Sequence, residues 1–150
     1  LLLGWLAFHR DALAANCEGL GDDELVDASA PPSDLSLLGL VRHMTEMEYA
    51  YLAFSLGGDG PFRLVYCTDD TPDGDIVGLL PAMARPSLER WHEERRRVDD
   101  LLAGFASLDA TSPGNDRSVR WNLLKVIQEY ARHNGHADLI RERIDGSTGE

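Results

Sequence analysis

The chain has 150 residues, of which 43% are hydrophobic and 27% charged, and its formal net charge is −12. This length and apolar content suit one globular domain, residues 1–150, with a single hydrophobic core. Because so acidic a surface repels phosphate backbones and anionic lipid, we set aside nucleic-acid binding as a main role. No apolar stretch approaches the roughly 18 residues that a membrane span needs, so we expect no membrane contact.

The two cysteines, Cys17 and Cys67, are widely spaced and form neither a disulfide framework nor a C-x-x-C motif. This favours a reduced, cytoplasmic protein in which both thiols are structural or incidental. A catalytic thiol is the less favoured alternative, because neither cysteine has a base nearby in sequence that would lower its pKa.

Apolar periodicity predicts a first helix over residues 2–20, which Gly19 and Gly21 end. Because the chain starts without Met, we expect Leu1 to lie inside a longer first helix. The positions that should face the core are Trp5, Phe8, Leu13 and Cys17. A short helical turn with acidic residues at its start is expected over residues 22–26, before two prolines break the chain.

A second helix is predicted over residues 36–56, with Ser33 or Ser36 as its cap. Its apolar stripe consists of Leu37, Leu40, Met44, Met47, Tyr51 and Phe54. Residues 57–81 then form a long connection rich in Gly, Pro and Asp, with a candidate extended piece at residues 62–66. Such a connection either covers a site or spans the helices, or it is a variable surface excursion, which is the favoured interpretation.

A third helix is predicted from residue 83 or 86 to residue 105, with Pro86 in its first turn. Its charged residues are expected to form a solvated face: Glu89, Glu93, Glu94, Arg95, Arg96 and Arg97. A fourth helix is predicted over residues 120–144, ending at Gly146. Four long amphipathic helices predict an all-α four-helix bundle with a long connection between helices 2 and 3.

Three ionisable residues lie on the predicted core face of the fourth helix. His133 occupies a position in its apolar stripe, and Glu129 and His136 lie one turn before and one turn after it on the same side. A buried carboxylate and imidazole need partners, and a metal ion completed by a ligand from another helix would satisfy them. Spacings of four (Glu129 and His133) and three (His133 and His136) both allow two residues to bind one ion.

The further ligand is best sought at His43, in the middle of the second helix at the border of its stripe. His9 lies near a polar edge, and His92 lies in a charged stretch. A histidine at an apolar edge is more often a hydrogen-bonded core residue than a ligand. Two histidines and a glutamate on core-facing stripes bring these two interpretations into balance, and spacing alone leaves both open.

Two segments resemble a known family. Residues 37–48 read LLGLVRHMTEME, and residues 129–150 read EYARHNGHADLIRERIDGSTGE. They resemble two motifs of the DinB-like (YfiT-like) superfamily, and the second is similar to that of its mycothiol-transferase-like branch. The resemblance covers essentially the whole chain. It implies a four-helix bundle that binds one divalent metal, zinc or alternatively nickel, and by position the ligands are His43, Glu129 and His133.

The resemblance also bears on neighbouring residues. Glu129 stands where many members have His, and the resulting set resembles that of the maleylpyruvate isomerase branch. His136 falls where many members have Gln, so we interpret it as contacting a ligand or facing the substrate, with a fourth-ligand role less favoured. Gly135 is expected to permit close approach of another helix. Three residues near the ligands in sequence are candidates to meet a carboxylate, although surface pairing is favoured for the arginines: Arg42, Arg132 and Tyr130.

The implied activity is a thiol S-transferase of the mycothiol type, in which the metal favours the thiolate and the thiolate attacks an electrophile. The partners are then a small-molecule thiol and an electrophilic substrate, and a homodimer is expected because relatives often dimerise. Two alternatives stay open. One is a non-catalytic, metal-binding and dimerising bundle with a stress-related or structural role. The other is a structural bundle whose histidines form a polar network without metal.

Overall fold

The computed structural model describes residues 1–58 and 60–149, so Asp59 in the long connection and Glu150 at the end of the second motif lie outside the described residues. The protein is all-α. Its helices are α1 (Leu2–Cys17), the short α2 (Asp22–Leu25), α3 (Leu37–Met47), α4 (Ala84–Ala103) and α5 (Val119–Asp145). A π-helical segment, Glu48–Phe54, and a last turn, Ser55–Gly57, continue α3, and a 3₁₀ turn, Pro81–Met83, precedes α4.

The long helices pack through α3 and α5. α1 lies mainly against α5, and α3 contacts both α4 and α5. Within the described ranges the β structure is an isolated antiparallel bridge between Thr111 and Ser118, so the extended piece expected at residues 62–66 forms no strand. No helix in this part of the chain is both long and apolar enough to cross a bilayer.

The predicted helix ends are confirmed where a cap or a glycine defines them. Ser36 Oγ accepts the backbone N–H of Gly39 at 3.1 Å, which begins α3. Gly146, with φ of 80°, ends α5 in the left-handed conformation that glycine adopts without steric cost. Pro86 lies in the first turn of α4, where its missing N–H costs no helical hydrogen bond.

Two predicted faces are wrong. Trp5 and Phe8 are 50% and 45% exposed, because α1 buries the face that runs through Leu6, Arg10 and Leu13 instead. Glu94, expected on the solvated face of α4, is only 2% exposed. It lies on the inward face between Trp91 and Val98, and the guanidinium of Arg90 bonds it at 3.0 Å.

The wide turn over Glu48–Phe54 shifts the inward face of α3. A π turn accommodates one residue more than an α turn, so the stripe that precedes it does not continue beyond it. The segment buries Glu48, Leu52 and Ala53, while the predicted core residues Met47, Tyr51 and Phe54 are only half-buried.

Glu48, at the start of the wide turn and four residues after the buried Met44, points into the core and is fully buried. Arg10 from α1 donates two hydrogen bonds to its carboxylate, each 2.7 Å long. Tyr130 from α5 donates a third at 2.8 Å, and Trp91 from α4 donates to the Tyr130 hydroxyl at 2.8 Å. The network joins all four long helices, and it corrects the expectation that Tyr130 meets a carboxylate of the substrate.

Candidate metal centre

Three side chains from α3 and α5 converge at one point between the two helices. His43 from α3, Glu129 and His133 from α5 each offer one ligand atom, and these atoms lie within 4.8 Å of one another. The rings of His43 and His133 meet edge to face with centroids 4.6 Å apart, and His133 Nε2 lies 3.5 Å from Glu129 Oε2. Glu129 and His133 share a face because they are one helical turn apart.

Each of the three side chains has its other polar atom held by a neighbour. His43 Nδ1 bonds Asp75 Oδ2 at 2.8 Å. Lys125 Nζ donates to Glu129 Oε1. His133 Nδ1 lies 3.3 Å from His136 Nδ1. The atoms left to face one another are two imidazole nitrogens and one carboxylate oxygen, and ligands held in this way are typical of metal sites in proteins.

The pKa values of two of these groups favour the forms that bind cations. Burial lowers the pKa of His133 from 6.5 to about 4, with smaller contributions from His43 and His136, so its ring is neutral at neutral pH. Burial raises the pKa of Glu129, but the hydrogen bond and charge of Lys125 together with the nearby His133 and His43 outweigh it, so this pKa lies below its ordinary value. A neutral imidazole and an ionised carboxylate are the forms that ligate a metal. The donor set therefore fits a divalent cation such as zinc.

Among protein-family models, the one described as mycothiol-S-transferase matches residues 1–146. The chain belongs to the mycothiol-S-transferase family. Searches of curated proteins and of solved structures gave no match. Membership of the mycothiol-S-transferase family confirms the resemblance seen in the sequence, and it implies a small-molecule thiol as substrate.

Sequence reasoning about this member of the mycothiol-S-transferase family missed Asp75 and Lys125. Asp75 is 5% exposed and lies in the long connection after α3, far from His43 in sequence. Nothing in its local pattern distinguishes it from the other aspartates there. Lys125 carried a usable signal, since it is the only lysine and stands four residues before Glu129 on the same helix. The favoured interpretation of the connection as a mere surface excursion is thus wrong for the part that contains Asp75.

Other predicted residues lie elsewhere or have other partners. Arg42 donates to the Gly74 carbonyl at 2.8 Å and stacks 3.8 Å above the Tyr66 ring, so it braces the connection. Arg132 and His92 are exposed. Gly135 is exposed as well, and no atom outside its own helix backbone lies within 4 Å of a Cβ built there. The expected close helix approach at Gly135 is therefore wrong, because this residue lies on the outer side of α5.

An apolar groove of about 410 Å³ lies along the wide turn of α3. Its lining consists of Met47, Ala50, Tyr51, Phe54, Ser55, Phe62, Leu64, Gly114 and Asn115. Lys125, which bonds Glu129, has its Nζ 5.5 Å from the centroid of the Tyr51 ring. One ring that lines the groove, Tyr51, therefore lies near the lysine that bonds a candidate ligand.

Proposed function

We propose that this protein is a metal-dependent thiol S-transferase that joins mycothiol, or a thiol of the same type, to an electrophilic substrate. His43, Glu129 and His133 would hold one divalent cation, zinc first and nickel as the alternative. The four long helices would form a DinB-type four-helix bundle over the single domain 1–150. The observation that carries the proposal is the group of three ligand atoms within 4.8 Å, each on a side chain braced by a neighbour.

The braced side chains have separable roles. A divalent cation on three protein ligands keeps a coordination position open, where it would favour the thiolate form of a bound thiol. Asp75 accepts the Nδ1–H of His43 and so leaves the lone pair of Nε2 for binding. Lys125 neutralises part of the charge of Glu129 and leaves Oε2 for binding. His136, whose Nδ1 lies 3.3 Å from His133 Nδ1, would fix which nitrogen of His133 faces the centre.

The transfer itself conserves charge and atoms. The sulfur of the thiolate forms a bond to the electrophilic carbon, and the leaving group departs with the electron pair of its bond to that carbon. The proton of the thiol is released when the thiolate forms. We place the electrophile in the apolar groove that Tyr51 lines, because the Tyr51 ring lies near Lys125, which bonds Glu129.

Metal content and thiol transfer test the proposal together. Protein purified without a histidine tag should contain one zinc or nickel ion per chain by elemental analysis. It should also conjugate mycothiol to an activated aryl halide. The single variants His43→Gln, Glu129→Gln and His133→Gln should lose both properties, while His92→Gln, a change at an exposed histidine of α4, should keep both.

The outcomes separate the alternatives. Bound metal without thiol turnover would favour the alternative of a non-catalytic metal-binding bundle over the transferase. Protein that stays metal-free in the presence of excess zinc would replace both with a polar network of histidines. A homodimer and a cytoplasmic location stay predictions, and light scattering tests the first.

A further inference from the structure

Residues 65–76, which we term the strap, are fastened to α3 by a buried carboxylate. Glu46 is 1% exposed and projects into the strap. Its Oε1 accepts the backbone N–H groups of Tyr66 at 2.6 Å and Cys67 at 3.0 Å, and its Oε2 accepts that of Val65 at 2.8 Å. Three N–H donors offset the cost of burying the charge, and hydrogen bonds to an ionised group are stronger than neutral ones.

Backbone hydrogen bonds and close packing connect the fastened end of the strap, residues 65–67, to its other end, residues 74–75. Thr68 and Thr71 exchange two backbone hydrogen bonds of 3.1 Å, and the Gly74 N–H donates to the Thr71 carbonyl at 3.0 Å. Gly74 packs so closely on the fastened end that a Cβ there would lie 2.4 Å from the Tyr66 carbonyl oxygen. Residues 65–67 and residues 74–75 are therefore packed directly against each other.

The far end of the strap returns to α3 and holds His43. Asp75, with its side chain 7% exposed, accepts the hydrogen bond from His43 Nδ1 at 2.8 Å. The Cys67 thiol, next to the fastened backbone, is among the groups that lower the pKa of Asp75. Glu46 therefore binds one end of the strap, and Asp75 at the other end binds His43. His43 lies one turn before Glu46 on α3, so the contacts begin and end on the same helix.

We propose that Glu46 is a positioning residue for the metal centre, acting through Asp75 on the orientation of the His43 ring. The inference rests on the proposed metal-binding function and assigns a role to a residue that touches none of the three ligands. A carboxylate is needed because both of its oxygens accept. A glutamine would place an NH₂ group against at least one backbone N–H and release part of the strap.

A double-mutant cycle on metal affinity tests this route. The variants are Glu46→Gln, Asp75→Asn and the double variant, with Zn²⁺ affinity measured by competition against a chromophoric chelator. Each single change should weaken Zn²⁺ binding by about tenfold, the lower end of the range for partners that hold a ligand. The double variant should bind no more weakly than Asp75→Asn alone, because Glu46 acts through Asp75.

The matched control is Glu94→Gln, which removes another buried carboxylate, on α4, that bonds Arg90 and not the strap. It should leave Zn²⁺ affinity unchanged even where it lowers the melting temperature. An unchanged Zn²⁺ affinity in Glu46→Gln would show that Glu46 only anchors the backbone. Additive losses in the double variant would show that it acts by another route, and either result overturns the proposal.

A metal-free measurement separates this inference from the proposed function. At about pH 8, where an ordinary histidine is neutral, the ¹⁵N chemical shifts of His43 in wild-type apoprotein should show one tautomer, with the proton on Nδ1. In Glu46→Gln the two ring nitrogens should move toward a common averaged shift. If the wild type binds no Zn²⁺, the metal-dependent function fails, and the ¹⁵N shifts still decide the role of Glu46. Identical shifts in the wild type and the variant would refute it.

Discussion

Acidification should destabilise the metal-free protein through His133. Burial lowers the pKa of this histidine from 6.5 to about 4 in the folded state. Between these values the unfolded chain binds a proton that the folded chain does not, so the free energy of unfolding falls as the pH falls. The side chain is only 12% exposed, so solvent screens little of the effect. The whole difference corresponds to about 3 kcal/mol, of which about 2 kcal/mol is lost by pH 5.

Urea unfolding in the presence of a chelator measures this loss. The free energy of unfolding at about pH 7 and about pH 5 would be compared for the wild type and for His133→Gln. The variant should lose about 2 kcal/mol less than the wild type between the two conditions. His92→Gln is the control, because burial lowers the pKa of the exposed His92 less than that of His133, so this variant should differ from the wild type by less.

Equal losses in the wild type and in His133→Gln would refute the reasoning, since His133 would then titrate as an ordinary histidine. Saturation with Zn²⁺ adds a second check. A bound cation competes with the proton for His133, so the apparent stability gained from Zn²⁺ should shrink as the pH falls. A gain from Zn²⁺ that does not change with pH would argue against His133 as a ligand.

Three further changes are predicted. Tyr130→Phe removes the hydroxyl that donates to Glu48, so the free energy of unfolding measured in urea should fall by about 1–3 kcal/mol. An unchanged free energy of unfolding would show that this hydrogen bond does not stabilise the fold. Burial raises the pKa of Cys67 from 9.0 to about 11, so iodoacetamide should modify it about 100-fold more slowly than free cysteine; equal rates would contradict this. Gly114→Ala places a Cβ 2.6 Å from the Phe54 carbonyl oxygen and should lower the free energy of unfolding by about 1–3 kcal/mol. Gly135→Ala, at an exposed helical position, should raise it by up to about 1 kcal/mol. Melting temperatures that shift in the same direction for both variants would refute the packing argument.

The features that could be predicted from the sequence are those encoded by neighbours along the chain. The caps and glycines set the helix ends, as at Ser36 and Gly146, because their effect acts within one turn. The spacing of Glu129 and His133 placed them on one face of α5. His43 was predicted to join them because a ligand from a second helix was needed and few histidines are available, and the structure does bring its side chain close to Glu129 and His133.

The features that could not be predicted depend on contacts between distant segments. Asp75 is selected by the way the strap folds back onto α3, which no local pattern encodes. Glu48 reads as a surface residue until Arg10 from α1 is seen to pair with it. Trp5 and Phe8 fit an apolar stripe by spacing, but the buried face of α1 lies elsewhere and includes that arginine. A buried ion pair of this kind defeats any prediction that equates core with apolar residues.

The wide turn at Glu48–Phe54 also bears on how relatives should be compared. One extra residue rotates everything after it by about 100° around the helix axis. An ungapped alignment through α3 with a relative that lacks the wide turn would keep His43 in place and assign Tyr51 and Phe54 to the wrong side of the groove. The residues of the groove in such relatives should therefore be compared after the two halves of this helix are aligned separately, the second anchored at Ser55 and the loop residues that bond it.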